Sequence, residues 1–126
     1  MRHFLILLIA IACAPNTPTD SQRSGEFALV AGGDEYDILY SRYAPLGRGD
    51  IGNSGGYLDC PGGIQPGTGS IAPLVGYQAS VRTKVGTYFA ICRNQLNYAK
   101  LTITAIFGDT THISYVVNLD PNDTSF

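Results

Sequence analysis

The sequence holds 126 residues with a formal net charge of −2, ten acidic side chains against eight basic ones. A chain of that length builds one hydrophobic core and not two, and mild acidity without runs of like charge excludes the basic surface that nucleic-acid phosphates require. Eight Tyr, no Trp and fifteen Gly, with the strong helix formers sparse, point to strands as the main element.

The chain opens Met1-Arg2-His3 and continues with an unbroken apolar run over residues 4–12. That run is about half of the ~20 residues that cross a bilayer as a helix, so residues 1–12 read as a signal peptide that engages export without spanning. Small residues then precede a cysteine in Ala10-Ile11-Ala12-Cys13, and this segment resembles the lipobox of bacterial lipoproteins. The resemblance implies cleavage before Cys13, lipidation of its sulfur and, with Ala14 rather than an acid next, sorting to an outer membrane. Plain secretory cleavage after Ala14 is the alternative, and it would leave Pro15 directly after the cut. Residues 13–25, with Pro15 and Pro18 and no periodicity, read as anchor and flexible tether.

A β domain is expected over residues 26–120. Residues 26–31 and 36–43 are short apolar or alternating runs around Gly32-Gly33-Asp34, the pattern of two strands joined by a tight connection. Asp34, Glu35 and Asp37 gather there. A Ca²⁺ site wants about six to eight oxygens in a defined loop, which nothing nearby supplies, so a solvated acidic turn and no metal are expected.

Residues 45–73 contain nine of the fifteen glycines and four of the seven prolines, which predicts a long irregular excursion with one short strand at 57–60. Its motifs are weak. Gly47-Arg48-Gly49-Asp50-Ile51-Gly52 fits a dinucleotide fingerprint, but breakers follow where a helix must start. Arg48-Gly49-Asp50 is an integrin-type tripeptide of a kind that arises often by chance. Gly52-Asn53-Ser54-Gly55-Gly56 resembles the nucleophile segment of trypsin-like serine proteases, yet His3 is the sole histidine upstream of Ser54. An unrelated triad of Ser54, His112 and Asp50 or Asp109 is kept as a minor hydrolase reading.

After Pro73 the pattern is regular. Residues 75–92 keep period two with a turn or bulge expected at 83–86, and a hairpin follows in which Leu101 and Ile103 on one strand and Ile113, Tyr115 and Val117 on the other share an apolar face. Residues 121–126 read as a polar, frayed tail. About seven strands result, which suits a small antiparallel all-β sandwich of immunoglobulin-like architecture, or a barrel, carrying a long Gly/Pro-rich loop.

The cysteine count is odd. Lipidation of Cys13 leaves Cys60 and Cys92, whose disulfide would remove roughly 3.5 to 4 kcal/mol of unfolded-state entropy. If Val81, Val85, Phe89 and Ile91 point inward, parity places Arg82, Lys84, Tyr88 and Cys92 on the outer face, beside Tyr98 and Lys100 of the next strand. The Cys60–Cys92 bond would then fold the Gly-rich loop over these cations and rings, making a cleft for an anionic glycan or an acidic protein segment. The leading functional reading is a non-catalytic binding module held in a bacterial envelope by its lipid anchor, without cofactor. The alternative is a structural subunit that pairs through an exposed β edge.

Overall fold

The computed structural model describes residues 21–126. The signal peptide, Cys13 and most of the tether therefore lie outside the described residues. Within them the protein is all-β: nine strands form and no helix.

Strand β1 (Gln22–Val30) begins four residues inside the segment read as tether and pairs along its whole length with β9 (Thr110–Asn118). Strand β9 in turn forms the expected hairpin with β8 (Tyr98–Phe107), where Leu101, Ile103, Ile113, Tyr115 and Val117 are buried as their alternation requires. A register shift after Ile103 turns the end of β8 over, and Phe107, which an unbroken alternation from Leu101 and Ile103 would bury, is exposed.

The run at 36–43 is two strands, β2 (Glu35–Asp37) and β3 (Arg42–Ala44), paired with each other and not with β1. Strands β1 and β2 meet instead through side chains. The Tyr36 ring stacks on Phe27 at 4.0 Å and is edge-on to Tyr43, and its hydroxyl meets that of Tyr115 at 3.3 Å. The Tyr43 hydroxyl accepts from Ala28 N and donates to Ala28 O, each at 3.1 Å, which occupies part of the free β1 edge.

The Gly-rich stretch is not an irregular loop. It contains β4 (Gly52–Asn53) and the ten-residue strand β5 (Tyr57–Pro66), which lies between β6 (Gln78–Arg82) on one side and β4 and β7 (Gly86–Ile91) on the other. Residues 60–63 stand opposite the single Ala79, so β5 bends sharply there. Glycine makes that bend possible: a Cβ on Gly62 would sit 2.1 Å from Ile91 O, and Gly63 has φ 112°.

The sheet runs β1-β9-β8-β7-β5-β4, with β6 on the other edge of β5, and curls into a half-barrel around Leu29, Ile38, Ile51, Leu58, Ile64, Leu101 and Ile113. Its two ends are latched together. Gly32 N donates to Asn53 O at 2.8 Å, and the buried Asn53 amide donates to Leu29 O at 3.0 Å.

The C-terminal segment is not frayed. Asn118 is fully buried, donates to Asp123 O and Ser125 O, and accepts from the Gln22 amide. Phe126 lies against Phe89 with ring centroids 6.0 Å apart. The tail thus covers an apolar ring on the outer face that would otherwise meet water.

Candidate functional site

The break expected between β6 and β7 is present, but its length changes the parity. Val81 faces inward opposite Leu58, and so does Tyr88 seven residues later, an odd interval. Residues 83–85 therefore exchange the two faces. Tyr88, Ala90 and Cys92 are buried on the inner side, Phe89 lies outside under the tail, and Val85 is exposed. This corrects the placement of Tyr88 and Cys92 on the outer face.

The five expected ligand-binding residues divide into two groups. Arg82, Lys84 and Tyr88 line a groove of about 640 Å³ with Tyr57, Gln78, Ser80, Val85 and Thr87. Arg82 and Tyr57 are register partners across β6 and β5; the guanidinium lies 5.3 Å from the ring centroid and donates to the Tyr57 hydroxyl at 3.2 Å. Tyr88 takes part through its rim, since it is buried and its hydroxyl donates to Lys84 O at 2.8 Å. Among the described residues no carboxylate lines this groove; Asp59 lies further along β5, opposite Ser80.

Tyr98 and Lys100 are elsewhere on the outer face. Lys100 donates to Gly69 O and sits 5.8 Å from the Phe89 ring, while Tyr98 packs against Tyr77. They hold the 67–77 loop and leave the groove to the other three.

The expected Cys60–Cys92 bond is not formed, and both residues are buried free thiols. Sequence separation measures only the entropy a bond would remove, whereas bonding needs the two sulfurs to meet in a narrow geometry. Cys60 Sγ instead donates to Asp50 O at 3.1 Å. Burial, with the Asp50 carboxylate adding, pushes the Cys60 thiol up to about 12 and raises the Cys92 thiol as well. Neither provides a thiolate near neutral pH, so nucleophilic or redox use of these sulfurs is disfavoured.

The acidic residues near the β2–β3 hairpin are engaged inside the fold. Asp50, 5 % exposed, accepts from Ile38 N at 2.7 Å, Leu39 N at 3.3 Å and Arg93 N at 2.7 Å. It is therefore unable to act as an integrin-type acid on a displayed loop, and its oxygens are not turned to His112. Glu35 accepts from Gly49 N and lies 4.0 Å from the Arg93 guanidinium. Asp37 accepts from Tyr40 N and pairs loosely with Arg42. Asp37, Asp50, Arg48 and Arg93 line a small cavity of about 270 Å³, where both carboxylates accept from backbone amides and Arg93 Nε donates to Gly49 O at 2.9 Å. No group of three or more metal-ligating side chains gathers among the described residues.

Ser54 is exposed on the turn after β4, its amide bonded to Tyr57 O at 3.0 Å. His112 lies on β9 with its ring edge-on to Phe107 at 5.5 Å. Among the described residues no hydrogen bond links the two.

Tyr57 and Ser80 are groove residues that sequence reasoning missed. Parity within β5 would have set Tyr57 outward once Leu58 was taken as core, but which strand lay beside it was not legible locally. Comparison of the chain with protein-family models, with curated proteins and with solved structures finds no match in any of the three.

Proposed function

We propose that this chain is a non-catalytic binding module of a bacterial envelope, held at the membrane by lipid on Cys13 and taking an anionic glycan in the groove between β5, β6 and β7. The groove carries the reading: in a chain of net charge −2, Arg82 and Lys84 line it with an exposed aromatic ring and without a carboxylate. Arg82 is oriented by Tyr57, so a carboxylate or sulfate would meet a guanidinium whose direction is set, while the Tyr57 face offers stacking to a sugar. Ser80 and Gln78 supply neutral hydrogen-bonding groups beside them.

The test is binding to immobilised uronate-rich and sulfated polysaccharides against neutral ones. The double variant Arg82→Ala plus Lys84→Ala is expected to weaken binding by about a hundredfold or more, each lost charged hydrogen bond being worth ~1.5–3 kcal/mol, and to flatten the salt dependence. Lys100→Ala should change neither. Equal binding by the double variant removes the groove as the site, and binding to acidic peptides alone would reassign the ligand class.

A second reading, a structural subunit, is favoured by one observation: among the described residues β6 pairs only with β5 and leaves its other edge unpaired by a strand. Light scattering on the purified protein distinguishes the two, since an edge-paired assembly is larger than the monomer.

A further inference from the structure

Three large aliphatic side chains project from one short loop: Ile71, Leu74 and Val75 are 68 %, 75 % and 79 % exposed. The loop is not loose. Lys100 Nζ donates to Gly69 O, Phe126 N to Ser70 O, Ala72 N to Thr124 O, Tyr77 Oη to Pro73 O, and Gln65 Nε2 to Val75 O. Its backbone is thus pinned from beneath while its aliphatic groups point away from the core. A pinned apolar tip of this kind marks a contact surface better than scattered exposed residues do.

Its position in the fold identifies the occupant. Ile71 bridges Ser125, and Ser125 O accepts from both Asn118 and Gln22 at the start of β1. Leu119 N donates to Ser21 O, and Leu96, 46 % exposed, accepts through its carbonyl from Asn122 N. The loop, Leu96 and the point where the described chain begins therefore share one end of the molecule. Ser21 follows Cys13 by eight Cα–Cα steps, a reach of at most about 29 Å. The opposite end, where Val30 pairs Thr110, is eight residues away along β1, about 26 Å at ~3.3 Å per residue. A lipid on Cys13 would join the domain at the Ile71–Leu74–Val75 end, which makes that end the nearer one to the anchor, and the tether's reach leaves it to a further contact to hold that orientation.

We propose that Ile71, Leu74 and Val75 insert into the lipid surface as a second membrane contact, with Tyr77 and Tyr98 beneath them at the level of the headgroups. This rests on the membrane-anchored reading. Tyrosine suits that depth because its ring is apolar and its hydroxyl wet; the two rings lie 6.1 Å apart under the loop. A diacyl anchor on a flexible tether holds the domain at the bilayer but leaves it free to turn, so a second contact fixes which way the groove faces.

The chain has no Trp, so Leu74→Trp and Phe107→Trp each give a single indole reporter, one at either end of the sheet. Both positions are exposed, which favours folding of the variants. Full-length protein extracted from membranes is reconstituted into vesicles containing brominated acyl chains. The expected result is a blue-shifted, bromine-quenched emission from Leu74→Trp and a water-like emission from Phe107→Trp. A water-like Leu74→Trp on vesicle-bound protein, a shift at Phe107→Trp alone, or shifts at both, overturns the proposal. Intact mass reports separately on Cys13. If no lipid is found, the anchored reading fails, and vesicles added to the unlipidated chain then decide the loop: a blue shift of Leu74→Trp sustains lipid contact and its absence refutes it.

Discussion

Asp37 and Asp50 approach each other beneath the β2–β3 hairpin, and the fold treats them differently. Asp50 has three backbone amides. Asp37 has the Tyr40 amide and a 3.8 Å approach to Arg42, and burial holds its carboxyl above the ordinary value of 3.8, with Asp50 adding to the effect. A raised folded-state pKa means the native protein keeps this proton where the unfolded chain has lost it. Stability from this group is therefore full at pH below the ordinary value and falls as pH rises through the folded one. Asp37→Asn removes the loss and keeps an oxygen for Tyr40 N. Urea midpoints should be higher than the parent's at about pH 7 and equal to it near pH 3; a variant less stable at neutral pH would show that the Arg42 pairing outweighs the burial cost.

At the scale of elements, the corner of β5 is the most demanding feature, because four residues are accommodated opposite one. Gly62→Ala would drive a methyl group into Ile91 O at 2.1 Å and Cys92 O at 2.4 Å, both backbone atoms that cannot turn aside. We expect a loss of about 3 kcal/mol or more, at the upper end of overpacking costs. Gly55→Ala meets nothing within 4 Å and strains only its φ of +77°, so it should cost about 1–2 kcal/mol. Chemical denaturation of the two variants checks the order. The same glycines concealed β5 from sequence reading: a Gly-Pro-rich composition is shared by irregular loops and by strands that bulge or pass close to another backbone. By contrast the β8–β9 hairpin was legible up to Ile103, since its alternation and turn are local.

Across the whole molecule, the tail closes a surface that the sheet leaves open. Phe126 covers Phe89, Asn118 collects the tail carbonyls, and Ile71 pairs with Ser125, so the last residues join the first strand to the 67–77 loop. Phe126→Ala is expected to cost about 1–3 kcal/mol, below the full value for a core Phe because the ring is only partly buried. For a domain of this size that lowers Tm by roughly 4–8 °C per kcal/mol, measurable by calorimetry. An unchanged Tm would mean that the tail rests on the sheet without holding it. A polar composition concealed this role, because its main polar contacts are made by backbone groups that any residue type carries.

What the sequence determined by itself was the class of the fold, its strand-rich composition, the β8–β9 pairing, the break near 83–86 and most of the core, since period-two alternation is a local property of the pleat. Tertiary structure alone decided which face Tyr88 and Cys92 take, because that depends on how many residues the irregular link at 83–85 consumes. It also decided that Tyr57 joins Arg82, that Lys100 serves a loop instead of the groove, and that Cys60 bonds to Asp50 O and not to Cys92. Each of these turns on which strands become neighbours. Asp50 shows the reason most plainly: its three amide partners lie at positions 38, 39 and 93, a convergence that exists only once the half-barrel has curled.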